Sequence, residues 1–306
     1  MNLPKKSTVV RYAGNPVLSP SDMPYSCLGV FNSSVVKHDG RYFMVARAQG
    51  YHLISTFWLA TSEDGYKWTV EGEIPLPDDP EYRRYARTQY DPRITRIGDA
   101  YYITACIHDV DARMGLFRTM DFKDFEWMGF MSCHGFRNTV LFPEKTGANY
   151  AAYWRPNSTG DIWYGESPDL SFWGNFRHVL SPGDRTVGVW GGAKIGPCGT
   201  PIKTEKGWLS VFHGVQYILH KTMIYHTGVF LTELESPWAM IRVSHEPILS
   251  PEEPFELAGH APNVVFASSQ VVEDDGSVKL YYGAADKFQC VADTSVALLL
   301  EAALER

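Results

Sequence analysis

The chain has no run of eighteen apolar residues, no block of basic residues and no paired-cysteine spacing. The first absence excludes a membrane-spanning helix. The second, with a formal net charge of −7, argues against nucleic acid as the main partner. The third leaves five scattered cysteines, Cys27, Cys106, Cys133, Cys198 and Cys290, an odd set with no zinc spacing. Reduced thiols of this kind suit the cytosol, and the opening MNLPKKSTVVRY lacks the apolar core of a signal peptide, so a cytoplasmic location is expected. Long amphipathic helical windows are missing, and neither a Ser/Gly linker nor a charge block divides the chain. A single domain over residues 1–306 is the expectation.

What the chain has instead is aromatic residues, at 14%, and nineteen prolines, which together suit strands and many turns. These strands repeat. An apolar strand, a Gly- and acid-rich turn and an aromatic-led strand recur as SSVVKHDGRYFMVARA from Ser33, DPRITRIGDAYYITACI from Asp91 and NTVLFPEKTGANYAAYW from Asn138. The phrase returns as GTPIKTEKGWLSVFHGV from Gly199 and NVVFASSQVVEDDGSVKLYYGAAD from Asn263. Most copies run on into another strand that ends at a tryptophan: Trp68, Trp127, Trp173 and, more loosely, Trp238. A period of roughly 45 to 70 residues with about four strands per unit predicts an all-β, five-bladed β-propeller with a central funnel. The tryptophans read as inter-blade packing, since large aromatics bury first for area. Closing the ring needs either the strand before Pro16 or the C-terminal VALLLE segment, and both stay open.

Polar residues that interrupt the innermost strands are the candidate site, because a strand facing a funnel needs no charge to pack. The strand starts offer Asn32 and Ser33, Tyr90 and Asp91 followed by Arg93, Arg137 and Asn138, Lys194 or Lys203, and Asn263. Arg47 and Arg155 end second strands, and Asp286 lies in the last unit. Singly, each reads as a solvated turn residue. Arg137, Arg155 and Lys203 could converge on one anion, or they could pair with Glu144, Glu166 or Glu205; spacing alone does not choose.

The segments YDPRIT, RNTVLFPEK, DIWYGESPDLSFWGNF, KIGPCGTPIKTEKGWLSVFHGV, PNVVF and YYGAAD together resemble glycoside hydrolase family 130, from about Asn15 to about Asp286. That resemblance implies a five-bladed propeller and, for most members, inverting phosphorolysis of β-mannosides. It implies that Asp91 is the general acid, passing its proton to the glycosidic oxygen through a sugar hydroxyl. It assigns Arg137, Asn138, Arg155, Lys203 and His213 to phosphate, and Asn32, Ser33, Arg47, Tyr90 and Asp286 to the sugars.

An inverting hydrolase needs two carboxyl groups about 6.5–9.5 Å apart, one as acid and one as base. A phosphorylase needs only the acid, because phosphate arrives already nucleophilic and cations hold it. One funnel acid with a set of cations therefore predicts phosphorolysis, with inorganic phosphate as co-substrate and no metal or other cofactor. The RN motif resembles the β-1,4-mannoside branch, which points to mannosyl-N-acetylglucosamine or a short β-1,4-mannooligosaccharide. A β-mannosidase and a non-catalytic, lectin-like propeller are the competing readings. Phe288, His260 and the loop QYILHKTMIYH depart from the family pattern and are expected to line the acceptor side. The sequence leaves monomer and homo-oligomer both open.

Overall fold

The structure is a computed structural model that describes residues 8–218 and 222–305. Within the QYILHKTMIYH loop, residues 219–221 therefore lie outside the described residues. Five antiparallel sheets form the blades of a propeller. Blade 1 runs from a split inner strand, Gly29–Val30 and Ser34–His38, through Arg41–Gln49 and Ser55–Ser62 to Thr69–Glu73. Blade 2 is Thr88–Ile97, Ala100–His108, Ala112–Thr119 and Glu126–Phe130. Blade 3 is Phe136–Leu141, Tyr150–Pro156, Ile162–Ser167 and Gly174–Leu180. Blade 4 has a second split inner strand, Lys194–Pro197 and Ile202–Thr204, then Gly207–Tyr217, Met223–Thr232 and Met240–Val243.

Blade 5 settles the closure. Val265–Val272, Ser277–Ala284 and Phe288–Ser295 are completed by the N-terminal strand Val10–Arg11, with Val10 opposite Asp293. The first and last parts of the chain thus share one sheet, which leaves no open edge between them. VALLLE belongs to a helix, Val296–Leu304, N-capped by Ser295. Its Leu299 and Ala303 are buried against blades 4 and 5. Among the described residues no helix is long and apolar enough to cross a membrane.

Alternation along the strands builds the packing between blades. Tyr42, Met44 and Ala46 enter the cluster shared with blade 5, whereas Phe43 and Val45 enter the one shared with blade 2. Each expected closing tryptophan sits in a different cluster: Trp68 on Tyr281, Trp127 on Phe117, Trp173 on Trp154 and Trp238 on Tyr164. Around the axis, short hydroxyl side chains tie the inner strands together. Ser34 Oγ accepts from the Ile94 amide at 2.9 Å, Ser269 Oγ from the Val35 amide at 2.9 Å, and Thr95 meets Thr200 at 2.8 Å. Those bonds hold the inner strands of different blades in fixed relative height, so residues distant in sequence share one floor.

Candidate active site

The inner strands of blades 1, 2 and 3 all break near their starts. Register slips between Tyr90 and Arg93 in blade 2 and between Arg137 and Val140 in blade 3, and blade 1 splits between Val30 and Ser34. At each break an Asn or Asp takes left-handed backbone: Asn32 at φ 51°, Asp91 at 52° and Asn138 at 54°. Asp286 at 50° and Asn263 at 63° do likewise in blade 5 and its lead-in. Asn and Asp are the non-glycine residues that best tolerate this conformation, and a bulge re-aims a side chain out of the ladder. Strain of this kind, about 1–3 kcal/mol per residue, gathers where function requires it.

These breaks surround a cavity of about 880 Å³, a normal size for a small-molecule site. Asn32, Arg47, Tyr90, Asp91, Arg137 and Asp286 all line it. Asp91 Oδ1 accepts from Arg47 Nη1 at 2.7 Å and from Asn32 Nδ2 at 3.0 Å. Both bonds end on Oδ1, so Oδ2 is the oxygen left for a ligand. Arg47 is itself fixed: Nε donates to Ser55 at 3.2 Å, Nη2 donates to Gln49 at 2.8 Å, and the guanidinium lies 4.2 Å from the Phe31 ring centroid. Its other donors thus fix the guanidinium that holds the acid through Nη1. Gly283 admits Asn32, since a Cβ there would collide with Asn32 Oδ1.

On the blade 3 and 4 side the charges are positive. Arg137 and Arg155 are direct cross-strand partners. Arg155 is almost fully buried, and its guanidinium pKa is pushed down by desolvation and then by Arg137. Lys194 is pushed down to about 8 by burial and then by Arg155 and Arg137. Its Nζ lies 5.2 Å from the Tyr225 ring centroid. Among the described residues no carboxylate forms an ion pair with Arg137, Arg155 or Lys194, and Nε of both arginines lacks a hydrogen-bond partner. His213 is buried on Phe266, with ring centroids 4.6 Å apart. Burial, Arg155, Lys194 and Arg93 hold its pKa well below the ordinary value, so the imidazole is neutral. Gly196 makes the cluster feasible, because a Cβ there would come within 2.5 Å of the His213 ring and 2.8 Å of Arg155 Cδ.

Asp286 is the second carboxyl of the funnel. Desolvation pushes its pKa up to about 6; the Arg47 charge opposes that and Asp91 adds to it. Beneath Asp91, the buried Arg93 donates Nη1 to the Pro92 carbonyl at 2.9 Å, while its Nε and Nη2 have no partner.

Two expected site residues are placed elsewhere. Lys203 does not join the cations: it pairs with Glu144 at 2.5 Å and is half exposed. The ladder gives the reason. Lys203 faces Trp208 and Lys194 faces Val215 on the same strand. Seven residues of strand at about 3.3 Å each separate them by more than about 20 Å. Lys194, the other lysine offered by the strand starts, is the one that lies beside Tyr225 and within the field of Arg155 and Arg137. Ser33 is fully buried beneath the floor, its amide donating to Gln289 at 2.9 Å and its Oγ accepting from the Arg47 amide at 3.3 Å. Tyr225, Arg87 and His108 also line the funnel. Sequence reasoning passed over them, although Tyr225 lies in the loop singled out as unusual. His260 lies at the rim, its Nε2 2.9 Å from the Leu28 carbonyl oxygen.

Comparison with known proteins agrees with this architecture. A β-1,4-mannooligosaccharide phosphorylase of Ruminococcus albus is 30% identical over 305 residues, covering 95% of this chain and 89% of its own length. A 1,2-β-oligomannan phosphorylase of Thermoanaerobacter is 32% identical, covering 90% of this chain and 93% of its own length. The solved β-1,2-mannobiose phosphorylase of Listeria innocua superposes with a TM-score of 0.86 at 24% identity, covering 96% of this chain and 99% of that one, which speaks for the fold. The profile of glycoside hydrolase family 130, described as β-1,4-mannooligosaccharide phosphorylase, matches residues 7–305. The chain belongs to glycoside hydrolase family 130 and is an enzyme acting on β-mannosides.

Proposed function

We propose that this protein is a single-domain, cytoplasmic inverting phosphorylase that splits a β-1,4-mannoside, a mannosyl-N-acetylglucosamine or a short mannooligosaccharide, into α-D-mannose 1-phosphate and the shortened acceptor. The observation that carries the reading is the cation set of Arg137, Arg155 and Lys194, Arg155 buried and the other two half-buried, with no carboxylate in an ion pair with any of them among the described residues. Packing like charges face to face is unfavourable unless an anion joins them. Inorganic phosphate supplies that anion and is also the nucleophile. The relatives' names support phosphorolysis, and the family description and the Ruminococcus albus relative favour the β-1,4 linkage. Five free cysteines suit a reducing compartment.

In this reading the mannosyl unit sits over Asn32, Tyr90 and Asp286. Protonated Asp91 gives its proton from Oδ2 to a hydroxyl of the mannosyl unit, which passes its own proton to the glycosidic oxygen, while Arg47 and Asn32 hold the carboxyl by Oδ1. A phosphate oxygen, presented by Arg137, Asn138, Arg155 and Lys194, forms its bond to the anomeric carbon from the opposite face. The C1–O bond to the acceptor breaks, its oxygen keeps the electron pair and takes the proton, and the configuration inverts. The steps call on no metal or further cofactor.

Asp286 gives hydrolysis a specific claim, since a second funnel carboxyl could serve as base for water. Product analysis with β-1,4-mannobiose and mannosyl-N-acetylglucosamine, with and without inorganic phosphate, separates the two. Mannose 1-phosphate formed only with phosphate supports the proposal; free mannose at equal rate without phosphate overturns it.

A further inference from the structure

Beside the funnel, on the blade 1 rim, lies a second cleft of about 410 Å³. Tyr25 and Trp58 form its wall, their rings stacked with centroids 5.1 Å apart and planes at 24°. Thr56 and Glu73 bring polar groups to the same cleft. Trp58 donates its indole N–H to Thr56 at 2.9 Å, and Trp58 and Glu73 are cross-strand partners, which sets the exposed carboxylate beside the aromatic wall. No hydrogen bond or ion pair engages that carboxylate among the described residues.

The cleft adjoins the funnel. Ile54 lines both cavities and Gly50 opens the turn between them. That turn is unusual for a rim: Tyr51, Leu53 and Ile54 are 65, 66 and 51% exposed, and Leu53 is held at φ 60°. Exposed apolar side chains grouped at a cavity mouth mark a contact surface. Flat aromatic faces with adjacent hydroxyl and carboxylate acceptors match a pyranose, which offers an apolar C–H face and a girdle of hydroxyl donors.

We infer that the Tyr25–Trp58 cleft is a distal acceptor subsite, which binds sugar units beyond the first acceptor residue as the chain leaves the funnel over Ile54. The inference rests on the proposed phosphorolysis and gives the preference within its substrate class to oligosaccharides longer than a disaccharide. The reacting end stays in the funnel, because the acid and the cations lie there, so only the acceptor portion reaches the rim. The cleft adds binding energy to long substrates alone.

The test compares kcat/KM for the di-, tri- and tetrasaccharides of β-1,4-mannose, and in parallel of β-1,2-mannose, with phosphate present. In the unaltered enzyme kcat/KM should rise from disaccharide to tetrasaccharide for the linkage that reacts. Trp58→Ala should remove roughly two- to tenfold of that rise, the worth of one aromatic contact, leave the disaccharide unchanged, and be largely rescued by Trp58→Phe. Should Trp58→Ala fail to fold by circular dichroism, the exposed Glu73→Gln takes its place. No rise with length, or an equal loss on every substrate, overturns the inference. Calorimetric binding of tetrasaccharide against disaccharide without phosphate gives the same comparison without turnover. A missing reaction then strikes the phosphorolysis reading, and a missing length effect strikes this one.

Discussion

Arg137 and Arg155 stand directly opposite one another across the first two strands of blade 3, with Lys194 close enough to be perturbed by both. Two guanidinium groups in such a pair repel, and burial withholds the water that would screen them. In the proposed reading the free enzyme carries a destabilised site that bound phosphate relaxes. Added phosphate should raise Tm, by the equivalent of about 2.7 kcal/mol at one hundred times its Kd. Arg155→Ala should abolish most of that rise in differential scanning calorimetry. In initial-rate kinetics it should raise the KM for phosphate about ten- to a hundredfold, the worth of a charge-assisted hydrogen bond, with the KM for mannoside nearly unchanged.

The two lysines that the sequence could not separate give a direct contrast. Lys203→Ala breaks a surface pair with Glu144, so it should cost less than about 1 kcal/mol and leave kinetics intact. Lys194→Ala should behave like Arg155→Ala. Since the Lys194 pKa is lowered to about 8, the free enzyme loses this charge as pH rises through that value. The phosphate KM should climb on the alkaline side in the unaltered enzyme, and the climb should be absent in Lys194→Ala.

Asp91→Asn keeps the shape of the side chain but removes the acid. The turnover number should fall by about 10²–10⁴, the usual worth of general acid catalysis, with a melting curve close to the original. A mannoside whose leaving group needs no proton should recover much of the loss. Unchanged turnover of the natural glycoside would remove Asp91 from its role.

Asp286 links the funnel to stability. Its pKa is raised from 3.8 to about 6, so the folded state holds a proton that the unfolded chain has released between those values. Stability from this group is fully present below pH 3.8 and is lost as pH rises through 6. The displacement is worth on the order of 3 kcal/mol. Asp286→Asn should raise Tm at pH 7, make little difference below pH 4, and lower activity throughout. No gain at pH 7 would show that the carboxyl is well solvated.

How far the residues could be read from the sequence depended on whether a signal repeated. The blade phrase recurs, so the propeller and the packing role of Trp68, Trp127, Trp173 and Trp238 were legible. The strand breaks at Asp91 and at Arg137 and Asn138 were legible because these residues interrupt the phrase at equivalent places. Lys203 and Lys194 were not separable because blade 4 splits its inner strand, and two lysines on one segment cannot be told apart without the ladder that sets Lys194 against Val215 and Lys203 against Trp208. Ser33 adjoins Asn32 in sequence, yet alternation turns its hydroxyl to the Arg47 amide and out of the funnel. The run of Asn and Asp at strand starts was itself a sign of left-handed bulges, carried by the residue types alone.

Local chemistry sets the kind of object this chain becomes: strand period, turn residues and aromatic content allow little but a closed ring of small sheets. The same local reading places an acid and several cations at strand starts. Which of them meet is a matter of tertiary structure. Register, bulges and the hydroxyl ties around the axis bring Asp91 to Arg47 and Asn32, set Arg137 against Arg155, and choose Lys194. Closure is of the same kind: the Val10–Arg11 strand pairs into blade 5 while VALLLE coils into a helix. Those outcomes rest on contacts between segments tens to hundreds of residues apart, and local propensity carries no record of them.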